Sequence, residues 1–180
     1  MLVPSERTKL YSKDHLFDKP RKIEKNDIIW IDLALASNNY WGDYTRTIIL
    51  HNGKCLSHEY YYKYVNNQDV GKYIMLANDI QIIQKEILSS ISVDMTFHDL
   101  FILCEKTILK FKYINPDIRK NYGHTIVKNL KDRSFIVEND KTPVFGNVIA
   151  VEQQIAMPDE KYSARVEDIF YFEKDKLIVL

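Results

Sequence analysis

Residues 28–50 read IIWIDLALASNNYWGDYTRTIIL, two apolar runs joined by a Ser-Asn-Asn segment. The runs have the length and the β-branched content of strands, so they predict a β-hairpin of residues 28–36 and 40–50. The polar Ser37-Asn38 pair between them is typical of a two-residue turn. The sequence therefore predicts a fold that is built on antiparallel strand pairing.

Two carboxylates occupy this hairpin, Asp32 and Asp43. With the turn at Ser37-Asn38 they lie directly opposite each other, and their Cβ atoms are about 5 Å apart. Like charges in that arrangement need a shared proton or a cation. Taken alone, the pair is equally compatible with solvated positions on the hairpin.

A second hairpin is predicted near the end of the chain. Residues 144–155 and 164–172 are apolar runs that are linked through a Pro-Asp-Glu-Lys segment. A turn at the centre of that segment places Glu152 opposite Glu167, provided that no bulge shifts the register. Buried carboxylates are rare unless they are paired or bind metal, so two acidic pairs beside apolar residues favour a cation site.

An imidazole for such a site is available in Tyr-Gly-His-Thr-Ile, where the histidine is His124. Oxygen ligands favour hard divalent ions, and one imidazole admits Mn²⁺, Fe²⁺, Co²⁺ or Zn²⁺. Four carboxylates and one histidine can hold two ions about 3.5–4 Å apart, the geometry used for hydrolysis with a bridging hydroxide. His51, His58 and His98 have no supporting pattern and are interpreted as surface or capping residues.

The composition narrows the class of protein. The chain has 180 residues, a formal net charge of zero and 46% hydrophobic residues, which predicts one ordered domain over residues 1–180. Zero net charge argues against a general attraction to nucleic acid or to an anionic membrane. The apolar runs fall short of the roughly 20 residues that span a bilayer. Two cysteines without motif spacing favour a reducing, cytoplasmic setting.

Helices are predicted between the two hairpins. An isoleucine-rich stripe at helical spacing predicts an amphipathic helix over residues 69–90. Thr96 and Asp99 have the spacing of a capping box, which opens a second helix that extends to about Tyr113. The order of strand pair, two helices and strand pair predicts an α+β domain with helices on one face of an antiparallel sheet.

Five segments of the chain resemble, in order, the pita-bread metallopeptidases: aminopeptidase P, prolidase and methionine aminopeptidase, with creatinase as a relative. The segments are the strand ending at Asp32, Gly42-Asp43-Tyr44-Thr45-Arg46-Thr47, Gly123-His124, the strand ending at Glu152, and Arg165-Val166-Glu167-Asp168. The resemblance spans roughly residues 15–175. It implies the pita-bread (creatinase/aminopeptidase-like) fold, incomplete at the N-terminus.

The resemblance also implies metal-ligand roles. Asp32 would bind one divalent ion, and His124 with Glu152 would bind the other. Asp43 and Glu167 would bridge both ions. Glu152 would in addition act as the base near the attacking hydroxide. Manganese is favoured among Mn, Co, Fe and Zn.

The same resemblance implies a class of substrate. The Arg-Val-Glu-Asp form of the last segment is closer to the proline-specific branch, which implies an Xaa-Pro aminopeptidase or dipeptidase. His15 lies 17 residues before Asp32, as does the substrate-side histidine of the family, and would contact the scissile group. The partner would be a peptide with proline at its second position, not nucleic acid or a membrane, and a homodimer is left open.

Three departures from the family pattern bear on activity. Lys131 stands where the family has a second catalytic histidine; a lysine can donate a hydrogen bond to an oxyanion but is not an equivalent acid. Val127 and Gln154 stand where small residues are usual. Only fourteen residues precede His15, so we expect a truncated gene product, a fragment, or a chain completed by a partner.

Two alternatives to the exopeptidase remain open at this point. A non-hydrolytic pita-bread module that binds peptides or proteins would explain the loss of the second histidine. An inactive remnant would expose apolar area on its uncovered sheet face and aggregate. Retention of all five ligand positions favours the enzyme.

Overall fold

The computed structural model of the protein describes residues 2–4, 22–37 and 40–180. The strands are β1 (Leu2–Pro4), β2 (Asp27–Ser37), β3 (Tyr40–His51), β4 (Lys54–Cys55), β5 (Gly123–Thr125), β6 (Ile149–Ile155), β7 (Ala164–Glu173) and β8 (Lys176–Val179). The helices are α1 (Tyr61–Tyr64), α2 (Gly71–Ser90) and α3 (Phe97–Lys110), with 3₁₀ turns at His58–Tyr60 and Leu130–Asp132.

All the described strands belong to one antiparallel sheet. Its order is β1-β2-β3-β7-β6-β5, with β4 beside β3 and β8 beside β7. The two hairpins are therefore neighbours, because β3 of the first pairs with β7 of the second. This contact joins segments that lie more than a hundred positions apart in the sequence, at the pair Thr45 and Glu167.

The first hairpin forms as predicted, but its register is shifted by two residues. Ser37 pairs with Tyr40, so the prediction of a Ser37-Asn38 turn is wrong. Asp32 lies opposite Thr45, not opposite Asp43, and the two carboxylates are diagonal neighbours. A shift by two keeps every side chain on its own face of the sheet, so the alternation of apolar residues cannot distinguish the two registers.

The second hairpin has the predicted register. Glu152 lies directly opposite Glu167, with no bulge between β6 and β7. β6 begins at Ile149, five residues later than the predicted start of that strand. Every residue of β6 is buried, as expected of a strand in the interior of the sheet.

The two long helices pack against one face of the sheet, as predicted. The isoleucine stripe of α2 is fully buried against β7, β6 and β3. Gly71 is required where α2 begins, because a Cβ at this position would clash with the carbonyl oxygen of Val65. Within the described residues no helix is both long enough and apolar enough to cross a membrane.

The capping box at the start of α3 is present. The Thr96 hydroxyl accepts a hydrogen bond from the Asp99 amide at 3.3 Å, and an Asp99 carboxylate oxygen accepts one from the Thr96 amide at 2.9 Å. α3 ends at Lys110, three residues before the predicted end. Lys112 follows with a φ of 63°, a left-handed conformation that does not continue a helix.

Candidate metal centre

The strand registers alone place all five predicted ligands on one face of the sheet, because alternate residues of a strand share a face. Thr45 lies between Asp32 and Glu167 across three strands, and Glu167 lies opposite Glu152. Asp43 is two residues from Thr45 on β3. His124 faces Ala150, which is two residues from Glu152 on β6. The ligands are thus Asp32 of β2, Asp43 of β3, His124 of β5, Glu152 of β6 and Glu167 of β7.

Three of these side chains converge. One ligand atom from each of Asp43, His124 and Glu167 lies within 4.8 Å of the other two. The His124 Nε2 atom is 3.5 Å from Asp43 Oδ2 and 3.9 Å from Glu167 Oε1. Two carboxylates and one imidazole at this spacing are a donor set for a divalent transition-metal ion.

Glu167 supplies an independent indication that a cation belongs at this point. The side chain is 1% exposed, and its Oε2 accepts a hydrogen bond from the Thr45 hydroxyl at 2.9 Å. Its Oε1 is buried and has no hydrogen-bond partner among the residues that the structure describes. A buried carboxylate oxygen without a donor is costly, and a metal ion between Asp43 and His124 would compensate it.

The orientation of His124 also suits a ligand. Its Nδ1 lies 3.2 Å from the Thr125 carbonyl oxygen, which favours a proton on Nδ1 and leaves the Nε2 lone pair available to bind a metal ion. Trp41 stacks on the imidazole ring with centroids 5.5 Å apart, and Phe135 contacts it edge-on.

The glycine before His124 has a structural reason. Gly123 has a φ of 142°, which residues with a side chain rarely adopt. A Cβ at this position would clash with the Ala150 carbonyl oxygen on β6. Gly123 therefore permits the close approach of β5 to β6 that places His124 over the site.

The other two predicted ligands both contact Arg165, and Asp32 also interacts with Asp43 of the cluster. One guanidinium nitrogen of Arg165 forms an ion pair with Glu152, and the other lies 3.6 Å from Asp32 Oδ2. Asn121 donates to the second oxygen of Glu152. The structure thus divides the five predicted ligands into a cluster of three and a pair that shares one arginine.

Burial and neighbouring carboxylates raise the pKa of two groups of the site, Glu167 and Asp32. The pKa of Glu167 is raised to about 7, first by burial and then by nearby Asp43, against opposing contributions from Arg165 and Thr45. Burial also raises the pKa of Asp32, which Arg165 opposes and Asp43 reinforces. The carboxylates in this part of the sheet therefore repel one another, and a divalent cation between them would reduce this repulsion.

The two remaining predicted site residues lie apart from the cluster. His15 falls outside the described residues. Lys131 lies in the Leu130–Asp132 turn, where it is exposed. This turn borders a cleft of about 700 Å³ next to the cluster, lined by Ala34, Ala36, Trp41, Val127, Lys128, Asn129, Leu130 and Asp132.

Val127 and Gln154, which depart from the family pattern, have defined contacts. The Val127 carbonyl accepts a hydrogen bond from the Trp41 indole, so this residue helps to hold the ring that stacks on His124. Gln154 is buried, and its amide donates to the Ser163 hydroxyl at 2.8 Å.

Sequence reasoning missed the contribution of Thr45 to the site, and it did not identify the carboxylates that Arg165 contacts. Both residues lie inside the signature segments, but their contacts cross between strands and cannot be read from either segment alone. Arg46 forms an ion pair with Asp168 and donates to the Glu167 carbonyl oxygen at 2.6 Å.

Comparison with known proteins relates this geometry to a family. The sequence pattern of metallopeptidase family M24 matches residues 9–174. The fold is similar to those of the prolidase from Pyrococcus furiosus (TM-score 0.74, 22% identity), the X-Pro aminopeptidase from Thermotoga maritima MSB8 (0.71, 16%) and the methionine aminopeptidase from Thermotoga maritima (0.65, 15%). No curated protein gives a sequence match.

These alignments cover 99% of this chain but only 47%, 45% and 71% of those three chains, respectively. The chain thus spans about half the length of the prolidase. At these identities the likeness establishes the fold, and it confirms the predicted pita-bread architecture.

Proposed function

Because the chain belongs to metallopeptidase family M24, we propose that it is a metal-dependent exopeptidase that hydrolyses the bond between an N-terminal residue and proline. The observation that carries the proposal is the cluster of Asp43, His124 and Glu167, with its buried carboxylate oxygen directed at the imidazole. The Xaa-Pro substrate is supported by the Arg-Val-Glu-Asp segment and by the structural similarity to the X-Pro aminopeptidase from Thermotoga maritima MSB8.

In this proposal Asp32 would hold one of two divalent ions, and His124 with Glu152 would hold the other. Asp43 and Glu167 would serve both ions, and manganese is our choice of metal. Such ions, when bound, lower the pKa of a coordinated water and stabilise negative charge on the carbonyl oxygen of the scissile bond.

The chain's own side chains perform the remaining steps. Glu152 accepts the proton of the attacking water and passes it to the leaving amine. Asn121 orients the Glu152 carboxylate through its hydrogen bond. Thr45 holds Glu167 in place through its hydroxyl. His15 contacts the scissile group, and Lys131 donates a hydrogen bond to the carbonyl oxygen once peptide fills the neighbouring cleft.

Two further features belong to the proposal. We place the enzyme in the cytoplasm, since neither Cys55 nor Cys104 forms a disulfide within the described part of the chain. We also propose a homodimer. The exposed apolar side chains of Leu33, Leu35 and Tyr44, near the end of the first hairpin where β2 leads into β3, would supply contact area for a second copy.

A peptide-binding module without hydrolysis is the second candidate. The ion pairs of Arg165 favour it, because they engage Asp32 and Glu152, two groups that the hydrolytic proposal needs for metal. Such a module would use the cleft beside Trp41 and would not need a second ion.

Turnover of an Xaa-Pro dipeptide separates the two functions. We expect the Mn²⁺-loaded chain to hydrolyse Ala-Pro, chelation with EDTA to abolish hydrolysis, and Asp43→Asn to remove both metal binding and turnover. Asp175→Asn is the matched control, because Asp175 is exposed in the turn between β7 and β8 and should leave both properties unchanged. Peptide binding without turnover at full metal loading would support the module and contradict the enzyme.

A further inference from the structure

A polar network lies behind the sheet, on the face opposite the predicted ligands. Arg46 of β3 directly follows Thr45. Asp168 of β7 directly follows Glu167. Successive residues of a strand point to opposite faces, so both side chains lie on the face that α2 covers. There they form an ion pair with each other, and the side-chain amide of Gln84 on α2 donates to Asp168 Oδ2 at 3.1 Å.

The same network binds the backbone of residues that face the site. Arg46 donates to the carbonyl oxygen of Thr45 at 2.9 Å and to that of Glu167 at 2.6 Å. The Gln84 amide nitrogen also donates to the Val151 carbonyl oxygen at 2.9 Å, in the peptide group directly before the predicted ligand on β6. Its hydrogen bonds therefore reach the main chain of β3, β7 and β6 at or next to a residue of the site.

The location of this network is important because the two hairpins meet over a short length. Among the residues that the structure describes, β3 pairs with β7 at one position, Thr45 with Glu167. Each hairpin carries two of the four predicted carboxylate ligands, and the ion pair of Arg46 with Asp168 crosses the junction between them. A guanidinium is planar and presents its donors in a rigid fork, so one that binds two carbonyl oxygens and a carboxylate fixes their relative positions.

Burial adds to the effect of these bonds. Gln84 is 2% exposed, and the Asp168 side chain is 12% exposed. Water reaches this network poorly, so loss of the Gln84 amide would leave the Asp168 carboxylate and the Val151 carbonyl without a replacement for this donor. Both acceptors would then shift, and the backbone of β6 and β7 would move with them.

We propose that Gln84, Arg46 and Asp168 are positioning residues, which set the relative placement of the two halves of the metal site from the far face of the sheet. They contact neither metal nor substrate and act through the backbone of the strands that carry the ligands. This inference rests on the proposed metal-dependent function and concerns how the ligands of its site are held together. Its consequence is that α2 contributes to metal affinity, although it lies on the other side of the sheet.

The test is Gln84→Met in the full chain, because methionine has a similar length but cannot donate a hydrogen bond. After removal of metal, Mn²⁺ binding is followed by the electron paramagnetic resonance signal of free Mn²⁺, and we expect the affinity to fall at least fivefold. At saturating Mn²⁺, kcat for Ala-Pro should fall at least tenfold while KM stays within about threefold. Arg46→Lys keeps the charge but loses the fork, so it should show the same losses.

Ile87→Val is the matched control, since Ile87 is fully buried on α2 one turn after Gln84, and its shortening lowers stability without changing the network. All affinities are measured where urea unfolding shows each variant to be folded. Unchanged Mn²⁺ affinity in Gln84→Met, or an equal loss in Ile87→Val, overturns the inference and leaves the metal-dependent function intact. A wild-type chain that binds no Mn²⁺ overturns the proposed function itself, and the inference with it.

Discussion

Thr45→Val tests how the sheet prepares Glu167 for a metal ion. Thr45 is fully buried, and valine has nearly the same shape but cannot donate the hydrogen bond to Glu167 Oε2. A hydrogen bond to a charged group contributes about 1.5–3 kcal/mol. This bond favours the ionised carboxylate, so its loss raises the pKa of Glu167 further, and the proton then competes more strongly with the metal. Since about 1.4 kcal/mol is a factor of ten, Mn²⁺ affinity at neutral pH should fall roughly 10- to 100-fold.

The assay is calorimetric titration of the metal-free chain with Mn²⁺, near pH 7 and again near pH 9. Part of the deficit should disappear at the higher pH, because Glu167 is then ionised in both proteins. Thr107→Val is the matched control: that hydroxyl is also buried, but it donates to the Leu103 carbonyl oxygen within α3. If Thr45→Val binds Mn²⁺ as tightly as the wild-type chain, or if Thr107→Val loses as much Mn²⁺ affinity as Thr45→Val, the hydrogen bond from Thr45 does not prepare Glu167 for the metal.

Two further outcomes are expected. Gly123→Ala should lower the free energy of unfolding by about 1–3 kcal/mol and weaken Mn²⁺ binding, because the new Cβ pushes β5 and His124 away from β6. Denaturant unfolding measures the first effect and calorimetric titration with Mn²⁺ measures the second. Unchanged Mn²⁺ affinity would contradict this prediction. The metal-free chain should lose about 3 kcal/mol of stability between pH 4.5 and 7, because the folded Glu167 keeps a proton that the unfolded carboxyl releases near pH 4.5. Urea unfolding in EDTA measures this loss as the difference between wild type and Glu167→Gln, and no difference across that range would count against it.

The alternation of residues in the two predicted hairpins was sufficient to predict which face the four carboxylate ligands occupy. Asp32 and Asp43 reach the predicted face although their register is shifted, because a shift of two residues preserves the pleat. Glu152 and Glu167 were predicted with their register as well, since the polar turn between their strands is short and well marked. The capping box similarly located the start of α3.

The sequence could not predict the contacts that cross between the two hairpins. Thr45 meets Glu167 because β3 pairs with β7, and no local pattern reports the pairing of segments so far apart. The pairing of Arg165 with Glu152 and Asp32 likewise depends on three strands at once. The signature segment alone does not identify which carboxylates Arg165 contacts.

Anomalous diffraction from crystals of the chain grown with Mn²⁺ is the most direct measurement of the central claim. The account predicts an ion within about 2.3 Å of Asp43 Oδ2, Glu167 Oε1 and His124 Nε2, after small side-chain adjustments from their present separations. No anomalous peak at this cluster at saturating Mn²⁺, even with a peak elsewhere on the chain, would contradict the proposed metal centre.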